Sequence, residues 1–291
     1  MKPPPFDYYV PKTVRGVIEV LQRYGGEAKV LAGGQSLMPL LNLRLARPQV
    51  VVDINRLPGL DYIRPKDGKI AIGALTRHRT VETSALLKER CPLLPHVAQE
   101  IGDIQVRNRG TFGGSIAHAD PAAEFCAVVC TLGGEMVAKG PNGTRVIPAD
   151  KFFMAALTTA LRSDELLTEV RVPILNGPAW SFRGIAARQG DLAIAGAIVV
   201  IDADTQGVCT QARIGMLGVG STPLRARQAE AKLRGRWLED LLVREAAELA
   251  SQEAEPGSDV HASAEYRREM VKHLVEWNLR NARSRLEKNP R

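Results

Sequence analysis

Two pairs of adjacent glycines, about 80 residues apart, constrain this chain more than any other feature. The first lies in Ala32-Gly33-Gly34-Gln35-Ser36. It follows Lys29-Val30-Leu31-Ala32, which reads as a short strand, and precedes a leucine-rich helix expected from Leu37. The second lies in Thr111-Phe112-Gly113-Gly114-Ser115, with a hydroxyl on each side of the pair. Glycine admits positive φ and leaves no Cβ between the backbone and a ligand. Successive N–H groups can then converge on one anion, reinforced by a helix N-terminus. Two such bends can grip one diphosphate from two sides, with Ser36 adding a hydroxyl; taken singly, either pair reads first as a tight turn. Neither fits GxGxxG or the Walker pattern, so a Rossmann or ATP-binding loop is not supported. Gly215-Met216-Leu217-Gly218-Val219-Gly220 partly mimics a nucleotide fingerprint. Ser221-Thr222-Pro223 follows it instead of a helix, so it reads as a strand end and turn.

The surrounding pattern predicts two regions. Thr13 caps a helix with Val14, Val17, Ile18 and Leu21 on one face, ended by Gly25-Gly26. Strands are expected at 50–54, 70–72 and 165–173, and helices at 80–87 and 93–99. Residues 105–115 read as polar and turn-rich. Pro121 is placed at the first position of a helix running through Glu124 to Cys130. Asn176-Gly177-Pro178 marks the boundary. Beyond it, strands are expected at 180–186, 195–201 and 212–217. Helices are expected at 225–233, 238–252 and 263–288. Apolar positions 238, 241, 242, 246, 249 and 250 carry the helical period of the second of these. An α+β region of about 175 residues therefore precedes a smaller sheet-plus-helices domain.

Composition narrows the function classes. The net charge of +7 is spread out, and basic and acidic residues alternate in the last stretch as on a solvated helix face. Only 5% of residues are aromatic, so stacking platforms for nucleic acid are scarce. No apolar run reaches about 18 residues, which excludes a transmembrane helix. The Met1-Lys2-Pro3-Pro4-Pro5 start lacks a signal-peptide core, and a cytoplasmic location is expected. Cys91, Cys126, Cys130 and Cys209 form no CxxC pair, and Cys126 and Cys130 have a buried-helix spacing. His118, Asp120 and Glu124 do not match a metal-ligand spacing, although a side chain there suits a ligand's ribose or ring edge. Arg183, Arg188 and Asp191 are surface charge by default, or a basic lining beside a phosphate or electron-rich ring.

Three stretches carry a resemblance. They are the first glycine segment through Leu37, the segment from Gln105-Val106-Arg107-Asn108-Arg109-Gly110 through Ser115, and Ala117-His118-Ala119-Asp120-Pro121-Ala122-Ala123-Glu124. Together they look like the FAD-binding medium subunit of molybdenum hydroxylases, the carbon monoxide dehydrogenase and xanthine dehydrogenase family. Phe6-Asp7-Tyr8, Pro11, Thr13 and the segment from Ser263 to Arg268 fit as well, so the resemblance covers nearly the whole chain. It implies a vanillyl-alcohol-oxidase-type (PCMH) FAD-binding fold over residues 1–176, with subdomains of about 1–56 and 57–176. A C-terminal domain of the carbon monoxide dehydrogenase flavoprotein type is implied over 177–291.

The resemblance also implies site residues. Val30, Leu31, Ala32, Gly33, Gly34, Gln35, Ser36 and Leu37 would wrap the FAD diphosphate with Thr111, Phe112, Gly113, Gly114 and Ser115. Ile101 and Leu167 would be apolar contacts, and Asp120 and Glu124 cofactor-binding acids. Arg183 and Asp191 would lie in segments passing the isoalloxazine ring. Gln35 stands where some relatives have His, Phe112 where a branched aliphatic residue is commoner, and Arg183 where Lys is common. A valine at Gly33 or Gly113 is expected to abolish FAD retention while leaving much of the chain folded. The implied partners are a molybdopterin-containing large subunit and a 2Fe-2S small subunit, with NAD, a quinone or oxygen as acceptor. A stand-alone FAD oxidoreductase of the same fold, or a basic nucleic-acid-binding protein, are the alternatives at this stage.

Overall fold

The computed structural model describes residues 2–175, 177 and 179–288. Asn176 and Pro178, which carry most of the expected boundary, lie outside the described residues. The first sheet is parallel. It comprises β1 (Asp7–Tyr9), β2 (Ala28–Leu31) and β3 (Val50–Asp53), in the order β1-β3-β2. Helix α1 (Val14–Tyr24) joins β1 to β2, and α2 (Leu37–Asn42) follows β2. The Thr13 side chain accepts from Gly16 N at 3.0 Å, and Gly25 closes α1 at φ +52°. Val17 and Leu21 pack from α1 onto Val50 and Val52, as the i, i+4 spacing requires.

The second sheet is antiparallel, in the order β4-β5-β10-β6-β7. Its strands are β4 (Ile63–Lys66), β5 (Lys69–Gly73), β6 (Glu135–Gly140), β7 (Gly143–Pro148) and β10 (Leu166–Pro173). A two-stranded ribbon, β8 (Phe153–Ala155) and β9 (Thr158–Thr159), lies between β7 and β10 in the chain. Between β5 and β6 run α3 (His78–Thr83), α4 (Ala85–Arg90), α5 (Leu93–Glu100), α6 (Ile104–Arg109), α7 (Phe112–His118) and α8 (Glu124–Leu132).

The third sheet, β11-β12-β13-β14, is antiparallel. It is built from β11 (Ala179–Ile185), β12 (Ala195–Ala203), β13 (Cys209–Leu217) and the short β14 (Leu224–Arg225). Its two faces have different partners. Phe182, Ile198, Val200 and Leu217 join the core formed by the second sheet with α3, α4, α5, α7 and α8. Ala195, Ala197, Val199 and Met216, on the other face, pack with α9 (Arg227–Leu233), α10 (Asp240–Gln252) and α11 (Ala264–Lys288). Helix α8 lies between two sheets, which explains its nearly unbroken apolar sequence, with Cys126 buried and Cys130 half-buried. Gly215 on β13 faces it: a Cβ there would lie 3.0 Å from Thr131 Cβ.

Four expectations are corrected. The helix expected at 80–87 is two helices broken at Ser84, whose hydroxyl caps α4 by accepting from Leu87 N at 3.3 Å. The turn-rich 105–115 segment holds α6 and the start of α7, because Asp103 and Thr111 supply N-caps. Pro121 does not open α8. It sits in a turn in which Asp120 accepts from Ala122 N at 2.8 Å, and the helix begins at Glu124. Leu241 is 67% exposed, and the buried face of α10 is Leu242, Val243, Ala246, Ala247 and Ala250.

Candidate functional site

The two glycine segments touch. An ideal Cβ on Gly33 would collide with the Arg109 carbonyl oxygen and lie 2.8 Å from Gly110 Cα. Gly114 faces the same seam, since its added Cβ would lie 3.8 Å from Ala32 Cβ.

The first segment is a loop whose donors are open. Gly34 is left-handed, at φ +73°. Among the described residues, the backbone N–H groups of Gly33, Gly34, Gln35, Ser36 and Leu37 donate to nothing in the chain. The carbonyls of the same turn are occupied. Ala32 O accepts from Asn55 Nδ2 at 2.6 Å, and Gly33 O from Gln35 Nε2 at 3.0 Å. In a trans peptide the N–H points opposite to the C=O, so these contacts aim the Gly33 amide away from Asn55 and the Gly34 amide away from the Gln35 side chain. Gly33 is buried, Gly34 and Leu37 are half-buried, and Gln35 and Ser36 are exposed, so the row of open donors runs from the seam to the surface. Gln35 thus has a local task in the turn.

The second segment behaves differently. Thr111 is the N-cap of α7, its hydroxyl accepting from Gly114 N at 3.2 Å. Phe112 N donates to Thr76 O at 2.8 Å, Gly113 N to Ala74 O at 2.9 Å and Ser115 N to Thr111 O at 3.0 Å. Its amides are therefore spent within the protein, and a set of backbone donors from both bends is not what the chain presents. Thr111, Phe112 and Gly113 are buried; Gly114 and Ser115 reach the surface in part. The glycine requirement is also corrected. A Cβ on Gly113 would lie 2.5 Å from Ala74 Cβ and 2.6 Å from Ala74 Cα. The helix needs glycine there to pack on the chain just after β5, so a valine at Gly33 or Gly113 disrupts packing before it disrupts any ligand.

The remaining expected site residues fall in three places. Ile101 ends α5, in a loop whose carbonyls are held by Arg107: Nη1 donates to Ile101 O at 3.2 Å and Gly102 O at 2.9 Å. The Arg188–Asp191 loop packs on it through Gly190, whose Cβ would lie 3.3 Å from the Gly102 carbonyl carbon. Exposed Asp191 is thereby brought to the edge that holds Ile101. Leu167 is buried in β10, and the neighbouring Thr168 O accepts from Ala74 N at 3.0 Å, linking that strand to the chain just after β5, whose Ala74 O accepts from Gly113 N of α7. Glu124 is buried at the start of α8. Burial pushes its carboxyl up to about 7, with the charges of Asp120 and Glu100 adding to the effect.

Arg183 is not drawn to this seam. It pairs with Ala197 on the face of the third sheet that meets the helices, and its guanidinium stacks on Trp277 with 4.8 Å to the ring centroid. His118, Asp120 and Glu124 converge on no metal position: among the described residues no group of three His, Cys, Asp or Glu side chains is arranged to hold one.

Sequence reasoning missed Asn55, Arg77 and His78, which stand outside any motif. The His78 ring nitrogen Nε2 lies 3.0 Å from Thr111 O, and burial lowers its pKa to about 4, so the neutral ring donates there.

The open amides of this partly exposed bend suit an anionic cofactor lying along the seam. Comparison with known proteins agrees. Residues 4–175 match the family described as the FAD binding domain in molybdopterin dehydrogenase, and residues 180–282 match the CO dehydrogenase flavoprotein C-terminal domain. The chain belongs to this family; its cofactor is FAD, and it is an oxidoreductase flavoprotein subunit. It is 44% identical to the 6-hydroxypseudooxynicotine dehydrogenase complex subunit alpha of Paenarthrobacter nicotinovorans, covering 97% of this chain and 96% of that one. It is 37% identical to the carbon monoxide dehydrogenase medium chain of Hydrogenophaga pseudoflava, covering 98% and 99%. A solved carbon monoxide dehydrogenase from that organism superposes with a TM-score of 0.95 at 39% identity, covering 98% of this chain and 99% of that one. Quinoline 2-oxidoreductase from Pseudomonas putida 86 superposes with a TM-score of 0.93 at 34% identity, covering 98% and 99%. Among the described residues no helix is long and apolar enough to cross a membrane.

Proposed function

We propose that the FAD diphosphate rests on the open amides of Gly33 to Leu37, and that this chain is the electron-transfer subunit of a cytoplasmic molybdenum hydroxylase. The row of unspent donors at 33–37, pressed against Arg109–Gly110, is the observation that carries the reading. Successive N–H groups around a left-handed residue form a concavity suited to anionic oxygens. Ser115, at the exposed side of α7, supplies a hydroxyl, and Glu124 accepts from a cofactor hydroxyl. Arg109 adds positive charge at the seam: after burial, its charge is the next influence lowering the Arg77 pKa. In this division residues 1–176 hold the cofactor and residues 177–291 cover it, with the 188–191 loop beside Ile101.

FAD takes up electrons singly or in pairs, and so can join one-electron and two-electron partners. The chain's own part is to bind and orient that group and to limit its access to water. Among its described residues no three His, Cys, Asp or Glu side chains are grouped to hold a metal ion. In this reading electrons enter from a 2Fe-2S subunit, drawn in turn from a molybdopterin-containing large subunit, and leave to NAD, a quinone or oxygen. The names of relatives as a medium chain and as a complex subunit support this division of labour.

The test is to purify the full chain, record its absorbance and titrate FAD into the apoprotein. Stoichiometric uptake with a flavin spectrum is expected; a chain that takes up no FAD overturns the reading. Purification from the native host is expected to bring two further subunits, one containing molybdopterin and one containing iron and sulfide. A chain that turns over a small substrate alone would replace the subunit reading with a stand-alone flavoenzyme.

A further inference from the structure

The open amides of the first glycine segment are held in place by side chains that belong to neither glycine motif. Arg77 lies just before α3 and is half-buried. Its Nη2 donates to Asn55 Oδ1 at 2.9 Å, and its Nη1 donates to the Arg109 carbonyl. Asn55 follows β3. Its Nδ2 donates to Ala32 O at 2.6 Å and to Asp53 Oδ1 at 2.7 Å, and its backbone N donates to the same Asp53 oxygen at 2.8 Å. Tyr8 OH donates to the other Asp53 oxygen. Every polar atom of the Asn55 amide group is therefore matched, which fixes its orientation. One guanidinium thus spans the carbonyl just before the second glycine segment and, through Asn55, the carbonyl just before the first glycine pair.

We infer that Arg77 and Asn55 are positioning residues for FAD, a fork and a strut that set the spacing of the two glycine segments and the aim of the Gly33 amide. The inference rests on the proposed placement of the diphosphate at 33–37. Its physical basis is the trans peptide: anchoring Ala32 O on one side directs the Gly33 N–H to the other. A planar guanidinium can donate to two acceptors at fixed separation, whereas an ammonium is a single point donor on a flexible stem. The role is therefore geometric, and positive charge alone does not fulfil it.

The experiment compares full-length wild type, Arg77→Lys and Asn55→Ala. FAD affinity is measured by flavin fluorescence during titration of the apoprotein, and apoprotein thermal stability is measured in parallel. Both variants are expected to bind FAD about tenfold or more weakly, the loss of one well-made hydrogen bond. Their apoprotein melting temperatures should stay within a few degrees of wild type. Wild-type affinity in Arg77→Lys would overturn the fork, since charge would then suffice. Wild-type affinity in Asn55→Ala would overturn the strut. Unchanged affinity with a large fall in melting temperature would assign both residues to stability alone. Should Arg77→Lys not fold, Asn55→Ala decides the matter, because it removes the strut without touching a charge. A wild-type chain that takes up no FAD overturns the placement of the cofactor and this inference with it. Tight wild-type binding with unchanged variants overturns the inference only.

Discussion

Gly33 and Arg109 are in backbone contact: the space a Gly33 side chain would need is filled by the Arg109 carbonyl oxygen, with Gly110 Cα 2.8 Å away. The first glycine segment therefore owes its composition to the second segment as much as to a ligand.

Gly33→Ala is expected to destabilise the full chain by about 1–3 kcal/mol, the usual cost of overpacking a tight contact. Gly113→Ala should behave similarly, because its Cβ would press on Ala74 Cα at 2.6 Å while the Gly113 amide stays tied to Ala74 O. Gly26→Ala is the control. No atom lies within 4 Å of its added Cβ and its φ is not positive, so a change within about 0.5 kcal/mol is expected. Denaturant unfolding of the apoprotein measures all three. Equal stability for Gly33→Ala and Gly26→Ala would show that the seam yields.

The N-cap of α7 is a second test. Thr111 is buried, and its hydroxyl satisfies Gly114 N. Thr111→Ala is expected to lose about 1 kcal/mol, and Thr111→Ser to retain most of it, since serine keeps the acceptor. Identical melting temperatures for the two variants would remove the capping role.

Much of this architecture was legible because burial leaves a periodic trace. Val17 and Leu21 marked α1, the apolar run from Phe125 marked a helix buried on most sides, and β12 announced itself by the β-branched run Ile198-Val199-Val200-Ile201. The edge elements left little trace. β4 alternates exposed charge with Pro65, and β14 is two residues long, so neither buries enough surface to pattern its sequence. At the site, the glycine pairs were visible because glycine is rare without a backbone reason. The state of their amides was not: those at 33–37 are open, whereas those at 112–115 are consumed by Thr76, Ala74 and Thr111, distant or neighbouring groups that spacing alone does not reveal. Asn55 and Arg77 were invisible because their meaning lies in contacts across 22 or more residues of chain.

Glu124 sets a pH dependence. Its carboxyl sits near 7 in the folded chain, raised first by burial and then by Asp120 and Glu100, against an ordinary value of 4.5. Between these values the unfolded chain has released a proton that the folded chain keeps, so stability falls as pH rises from about 4.5 to 7 and levels off above. The full penalty is on the order of 3 kcal/mol. Glu124→Gln is expected to flatten that part of the apoprotein stability curve and to be the more stable form at pH 8. A wild-type curve parallel to that of Glu124→Gln across this range would refute the buried, proton-holding acid.

Gly215 provides a test of the helix between the sheets. Its place on β13 is filled from α8 by Thr131, whose hydroxyl turns back to donate to Ala127 O at 2.7 Å. Gly215→Ala should cost about 1–3 kcal/mol through overpacking. Combining it with Thr131→Ala is expected to recover part of the loss, because the methyl then meets a smaller neighbour. Additive losses in the double variant would deny the contact.

Arg267 ties the C-terminal helix to the chain at either side of the third sheet's central strands, at Ile194 and Gly218. It is 7% exposed, and its Nη1 donates to the Ile194 and Gly218 carbonyls while Nη2 reaches Asp259 at 2.7 Å. Gly218 N in turn donates to Pro121 O at 3.0 Å, in the turn that leads into Glu124. Truncation leaves two carbonyls without their donor and empties the space of a long side chain, so Arg267→Ala is expected to destabilise by about 2–4 kcal/mol. Asp259 is exposed, and its carboxylate also accepts from His261 and Ala262 N, so it has local work besides the ion pair. Asp259→Asn keeps an oxygen for those amides and leaves both Arg267–carbonyl bonds in place, and should change stability far less. Denaturant unfolding of the two variants separates the contributions. A larger loss in Asp259→Asn than in Arg267→Ala would mean that the exposed ion pair, and not the buried carbonyl clasp, fastens α11 to the sheet.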